Sequence, residues 1–483
     1  ILGNPPFKSE LTKAARDTRS ADLKGVPIPD KQIAYRIAEE SMGLLQPEGT
    51  LCLIEPSGFL YNSNSRKFLR KFIESHTVDT ILDFVSIRKL YEGADPKTVA
   101  ILARATTPKP GHRIAHQTFR RTKSVHDRIG FELDRYDHHL VPQETAINHP
   151  SIWKSNLLGG SRLFNIGLMA RNFTSIKDFI LARGWDYGEG YIAAKTGKRD
   201  EASWLTGKPL LETGNFGDQG LLNDYPVVNA SEFRSAYSPK RFTGPIIMVG
   251  ENEQLPCLYR PSGFLAYKDK IIGISAEKSD AEKLKKFYNS IVDNLDALRF
   301  FLYLFSTQML VGKATAILKR DFDELPVPET KFIEQISWWQ KILMSDVVDY
   351  IGDFVRKGQN SDLIKKAVDT EAFQFYADTF TKMLGSIYTN LKAGKSGCSR
   401  GLAYQAFIFG DSSELDWPED WSEKLEEIVF SKNQSAIQTN RILRFYETNT
   451  LIIVKPDRLR YWIGSTAIRD ADETLTDLQE QGF

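Results

Sequence analysis

The alternation of apolar and polar positions divides the chain into stretches of different period. Residues 33–45 carry Ile33, Ile37, Met42 and Leu45 at helical spacing, with Asp30 ahead of them as a capping residue. Gln46-Pro47-Glu48-Gly49 ends that helix. Thr50-Leu51-Cys52-Leu53-Ile54 is then a short apolar run between breakers, the pattern of a buried parallel strand. Pro56-Ser57-Gly58 turns out of it, and Asn62 to Ser65 cap a helix whose apolar face holds Phe68, Leu69, Phe72 and Ile73. Two more strands are predicted over 80–85 and 98–103. Helix and strand alternate, which predicts a mostly parallel sheet with helices on both faces.

Further along the period changes. Residues 112–153 are polar and irregular and read as a linker. Residues 154–330 are rich in Gly, aromatic and β-prone residues, with strands predicted over 245–249, 264–267 and 270–274 and one helix over 280–305. Ile333, Ile336, Trp339, Leu343, Val347, Ile351 and Phe354 then predict a long helix. From Ala403 the pattern is a strand over 404–409, a helix over 421–430, a second helix around Ile442-Leu443, a strand over 451–454 and a polar tail. The expected domains are therefore 1–112, a linker at 113–153, 154–330, a helical 331–400 and a small α/β region at 401–483.

Composition narrows the function class. A chain of 483 residues with 41% hydrophobic and 26% charged residues is a multi-domain globular protein. The net charge of +1 means that a nucleic-acid partner would need positive charge sorted onto one face. Cys52, Cys257 and Cys398 fit neither a disulfide framework nor zinc spacing, which suggests a reducing, cytoplasmic setting. All seven histidines lie between His76 and His149 without Cys partners, so no metal site is expected, and His138-His139 reads as a solvated loop pair. No apolar run has the length of a membrane span. Ile1-Leu2-Gly3 reads as the end of a buried strand, so an N-terminal part of the same protein is expected before it.

Candidate chemistry begins at Asn4-Pro5-Pro6-Phe7. Asn offers an amide donor and a carbonyl acceptor. The two prolines fix φ and remove two backbone donors, so the segment is a stiff, extended corner. Such a corner suits a planar substrate with an exocyclic amine: the amine donates to Asn4 and to the Pro5 carbonyl, while the ring stacks on Phe7. In an open α/β sheet ligands bind beyond the carboxyl ends of the strands, where this corner, Glu55-Pro56-Ser57 and the loop 88–93 all lie.

Three pieces carry a resemblance: ILGNPPF at 1–7, GTLCLIEPSGFL at 49–60 with SRKFLRKFI at 65–73, and ILDFVSIRKLYEGADPKTVAILA at 81–103. In order and spacing they resemble the C-terminal half of the catalytic domain of an adenine-N6 DNA methyltransferase of the restriction-modification type, type IIG-like, with a target-recognition domain following. The resemblance implies an α/β fold: a partial Rossmann-like methyltransferase sheet, an α+β target-recognition domain, a helical spacer and a small α/β C-terminal region. It implies double-stranded DNA as partner, S-adenosylmethionine as methyl donor, base flipping, Asn4, Pro5, Pro6 and Phe7 as the catalytic corner, and Tyr91 on the opposite face of the base. The family's Gly-rich cofactor loop and ribose-binding acid lie upstream of the corner and are not among these residues. The expectation is that this portion is inactive without them.

For recognition the candidates are Arg183, Lys195, Lys198, Arg199 and Lys208, interleaved with Trp185, Tyr191 and Trp204. Arg120, Arg121, Lys123, Lys455, Arg458, Arg460 and Arg469 are further cations that could meet phosphates. Two other readings stay open: a protein-glutamine or RNA methyltransferase, which would not need so long a chain after the sheet, and a DNA-recognition module without catalysis.

Overall fold

The computed structural model describes the chain apart from residues 8–21, 24–25, 29–31, 88–89, 92–95, 126–127, 195–201, 217–224, 312–316, 411–420, 431–436, 448 and 483. Residues 1–164 and 338–483 form one compact unit, and residues 165–337 form a second. No described helix is long and apolar enough to cross a membrane.

In the first unit, strands β1 to β8 are Leu2–Gly3, Thr50–Pro56, Thr77–Asp83, Thr98–Arg104, Arg113–Thr118, Arg120–Val125, Arg128–Asp134 and His138–Pro142. Six of them make one sheet in the order β1-β2-β4-β3-β5-β8. The expected mostly parallel sheet is in fact mixed. Only β1/β2 and β3/β5 run parallel, and β4 is antiparallel to both β2 and β3. No helix is described between β3 and β4, and without a crossover the chain can only return antiparallel.

The linker expected at 113–153 is a second correction. β5 and β8 extend the sheet, and β6 and β7 form a hairpin. In β5 every second residue is buried, but two of the three are His116 and Thr118, so the strand period is hidden behind polar residues. His138 and His139 accordingly sit on a strand. Helix α1 (Ile33–Gly43) buries Ala34, Tyr35, Ala38 and Met42 rather than Ile33 and Ile37, and Asp30 lies outside the described residues. Helix α2 (Arg66–Ser75) buries the expected Phe68, Leu69, Phe72 and Ile73. Its rings join Tyr35 and Phe59 in a cluster with centroids 5.4–6.3 Å apart.

Of the long helix expected after residue 331, Thr330–Gln335 is separate, while Trp338–Asp346 continues through a π turn at Val347–Ile351 into Gly352–Lys357 without a break, and Thr370–Leu384 is a further helix. Gly358 ends the continuous stretch with φ +57, and a Cβ there would lie 2.9 Å from the Ser86 carbonyl. At the C-terminus, Leu443–Glu447 is a strand where a helix was expected, and the polar tail is the helix Gly464–Glu480. That helix packs through Ala467, Ile468 and Ala471, a face too narrow to stand out in the sequence.

Two buried charge clusters join this C-terminal region to residues 132–137. The carboxylate of Asp470 accepts from Tyr136 and Tyr376 and pairs with Lys455 at 2.7 Å and Arg444 at 3.2 Å. Lys455 is fully buried, between the rings of Tyr376 and Trp462 at 4.0 and 4.3 Å. Burial lowers its pKa to about 8 despite Asp470. Arg460 pairs with Asp134 at 3.0 Å and Asp137 at 2.5 Å, and Arg458 meets Glu132 at 3.0 Å. The candidate phosphate contacts Lys455 and Arg460 therefore face inward, and Arg120 is buried too.

The second unit is built on an antiparallel sheet in the order Asp186–Glu189, Ile271–Ser275, Ile246–Gly250, Cys257–Arg260. The single helix expected over 280–305 is two, Ala281–Asp293 and Leu295–Phe305, with the break at Asn294.

Two stability predictions follow from the buried polar groups. Asp470→Asn leaves Lys455 without its counter-charge, and we expect a loss of about 3–5 kcal/mol from urea unfolding, largely recovered in Lys455→Met/Asp470→Asn. A cost under about 1 kcal/mol would contradict the network, since breaking a buried pair exposes the full desolvation penalty. Glu55 is the opposite case: a fully buried carboxyl at the end of β2 with neither oxygen hydrogen-bonded. Burial raises its pKa from 4.5 to about 8. The folded state thus holds the proton more tightly, so this group's contribution falls as pH rises from 4.5 through 8. The melting temperature of Glu55→Gln should exceed that of the parent by a margin that grows between pH 5.5 and pH 8; parallel curves would refute the assignment.

Candidate active site

The corner is positioned by β1. Leu2 and Gly3 pair in parallel with Cys52 and Leu53, and the Cys52 N–H donates to the Ile1 carbonyl at 2.8 Å. Gly3 lets the two strands approach closely here: a Cβ would stand 2.8 Å from Leu53 Cδ2, so Leu53 would have to shift to admit one. The chain leaves the sheet at Asn4, level with Ile54 and Glu55. Asn4 and Pro6 are exposed, Pro5 is buried and Phe7 is half-buried, so the corner is anchored through Pro5 and presents its amide outward.

The neighbouring strand ends complete the edge. After Pro56 the Ser57 N–H donates to the Lys97 carbonyl at 2.8 Å, and Pro56 lies opposite Thr98 at the start of β4. The hydroxyl of half-buried Tyr91 sits 3.3 Å from Thr98 Oγ1. Tyr91 is therefore tied to β4, two strands from β1. At about 4.8 Å per strand that is roughly 10 Å of backbone separation.

Behind the edge, Asp83 at the end of β3 accepts from the Tyr61 hydroxyl and, at 2.8 Å, from the Val85 N–H. His116 Nε2 stands 3.4 Å from the same carboxylate, and Asn156 bonds the other ring nitrogen at 3.2 Å. Burial together with Asp83 holds the Tyr61 hydroxyl well above its ordinary pKa. These groups are inaccessible, so they order the strand ends and do not meet a substrate. This chain was not foreseen from the sequence, which placed Glu55 at the edge but not as a buried, unpartnered acid. For Glu55 a signal existed: it is the one acid in the apolar run Leu51-Cys52-Leu53-Ile54-Glu55.

The methyl donor implied by the resemblance calls for a Gly-rich turn of backbone N–H groups and an acid for its ribose. The accessible described groups at this edge are the Asn4 amide and half-buried Tyr91, since Glu55 and Thr98 are fully buried. They suit a planar ring bearing an amine. They do not make a donor site.

Among the recognition candidates, Arg183 is exposed, with its guanidinium carbon 3.3 Å from the centroid of the Phe179 ring. Lys208 is exposed near Phe264. Lys195, Lys198 and Arg199 lie outside the described residues, as do the side chains of Arg121 and Lys123. Trp185 and Tyr191 are core residues, so they are not the aromatic surface expected.

A family model described as Eco57I restriction-modification methylase matches residues 1–90, a span holding Asn4, Glu55 and Asp83. No curated protein matches the chain. Among solved structures, the chain is similar to the type IIG restriction endonuclease BpuSI at 12% identity and a TM-score of 0.28, over 66% of this chain and 44% of that one. It is similar to the type IIL restriction-modification enzyme MmeI, solved in complex with DNA, at 10% identity and a TM-score of 0.35, over 74% and 51%. It is similar to a modification subunit of a putative type I restriction enzyme from Vibrio vulnificus YJ016 at 17% identity and a TM-score of 0.20, over 26% of each chain. The chain thus spans about half or less of each of these proteins.

Proposed function

We propose that residues 1–119 form the acceptor side of a site-specific DNA methyltransferase of a restriction-modification or phage-defence system, acting on the N6 amine of adenine with S-adenosylmethionine as donor. The observation that carries this reading is the edge itself: an outward amide at Asn4 on an anchored Pro5, with a hydroxyl-tethered aromatic two strands away. The match of residues 1–90 to a restriction-modification methylase supports it. Residues 165–337, with Arg183 and Lys208 on their surface, are proposed as the DNA-reading unit.

In this reading the adenine leaves the duplex at a cost of a few kcal/mol. Its amine donates to Asn4 Oδ1 and to the Pro5 carbonyl, which raises electron density on the nitrogen. Pro6 holds that geometry by fixing φ. Phe7 and Tyr91 cover the two faces of the ring, recovering stacking lost from the duplex. Positioning and hydrogen bonding supply the rate effect, with no strong general base needed.

The test is methyl transfer from labelled S-adenosylmethionine to duplex DNA by the full-length protein, with the labelled base identified after hydrolysis. N6-methyladenine is expected. Asn4→Ala should lower turnover by about 10²–10³-fold, the usual effect of removing one preorganised hydrogen-bond partner, while DNA affinity changes less than about threefold. Label on cytosine, or turnover indifferent to Asn4, would overturn the proposal.

A further inference from the structure

The second unit carries a groove that the sequence reading identified only at one residue. Its cavity volume is about 500 Å³, between the short helix Ile176–Ala182, the helix Ala281–Asp293 and the segment 328–331. Arg183, Lys283, Lys286 and Lys331 line it with one carboxylate, Glu329, and Lys283 is also ion-paired to Asp280 beside the groove. In a chain of net charge +1 this is local sorting of charge, the condition set above for a nucleic-acid partner.

The basic face is also braced. Arg183 lies on the Phe179 ring and donates to the Phe179 carbonyl at 3.2 Å, so its remaining N–H groups are held in place. Phe179 packs on Phe287 with centroids 4.7 Å apart, giving the groove an apolar floor. Lys283 and Trp185 both donate to Asp280, at 2.8 and 3.1 Å, which fixes the start of the longer helix. Lys286 and Lys331 are exposed and have no ion-pair partner among the described residues. Glu282 stands four residues before Lys286, the spacing of a helix-face pair, but no ion pair joins the two in the structure.

Resting on the DNA-methyltransferase reading, we infer that this groove seats the sugar–phosphate backbone of duplex DNA. The four cations meet phosphate oxygens from both walls, and the Phe179–Phe287 floor meets the apolar edge of the sugars. The groove supplies affinity and register, with no base preference of its own.

The experiment is binding of the full chain to a fluorescent duplex between 50 and 200 mM salt. It compares the parent, Lys283→Gln/Lys286→Gln/Lys331→Gln, and a charge-matched control, Lys109→Gln/Lys365→Gln/Lys392→Gln, with thermal unfolding run on all three. The groove variant should melt like the parent, bind duplexes of unrelated sequence more weakly by a similar factor, and have a salt slope shallower by about 2.7, at about 0.9 per lost phosphate contact. An unchanged slope in a parent that binds DNA overturns the inference alone, as does an equal effect in the control. Full competition by inorganic phosphate at constant ionic strength would show a site for a single anion and overturn it too. A parent that binds no duplex overturns the inference and the proposed function together.

Discussion

A pair of prolines cannot hold itself in a sheet, because neither has an N–H to place in a ladder. The position of the Asn4 corner is therefore inherited from the two residues before it. Leu2 and Gly3 are set in parallel register with Cys52 and Leu53, and a side chain at Gly3 would require Leu53 to shift. A slip of one residue would turn Pro5 outward and Asn4 into the core. Everything that follows at the edge depends on that register. β2 holds β4, β4 holds Tyr91 through Thr98, and β3 ends beside them at a carboxylate already satisfied by Tyr61 and Val85.

The rest of the first unit steadies this edge with buried charge. Arg458, Arg460 and Tyr461 engage Glu132, Asp134 and Asp137, while Lys455 and Arg444 engage Asp470, which also receives Tyr136. Ion pairs of this kind add little net stability over apolar packing, but a misplaced pairing would strand a charge, so they fix which surface meets which. Burial pulls the Asp134 carboxyl upward even beside Arg460.

Much of this was legible in the sequence wherever apolar residues mark the period. The α2 face, the run at β2 and the strands at 80–85 and 98–103 all stand out for that reason. What was hidden has a common cause. β5 buries His116 and Thr118, and Gly464–Glu480 buries Gly, Thr and Asp residues along with its alanines, so a search for apolar spacing passes over them. Cations mislead in the same way. Lys455 and Arg460 look like surface groups until their partners, hundreds of residues apart for Arg460 and Asp137, are brought together by the fold. The corner at Asn4 could be read because its stiffness is local. The opposite wall proposed at Tyr91 came only through the resemblance.

Glu55 is the residue for which packing gives no reason. An apolar side chain of similar size, on the face Glu55 shares with Leu51 and Leu53, would avoid the desolvation of two oxygens, which costs roughly 1–3 kcal/mol even for an uncharged polar group left unpaired. The cost is set at the end of the strand that lies between the Asn4 corner and Tyr91, not in the middle of the core. Kept neutral by burial, the carboxyl can both donate and accept a hydrogen bond. Stability is thus given up at the same strand ends that hold the proposed acceptor site.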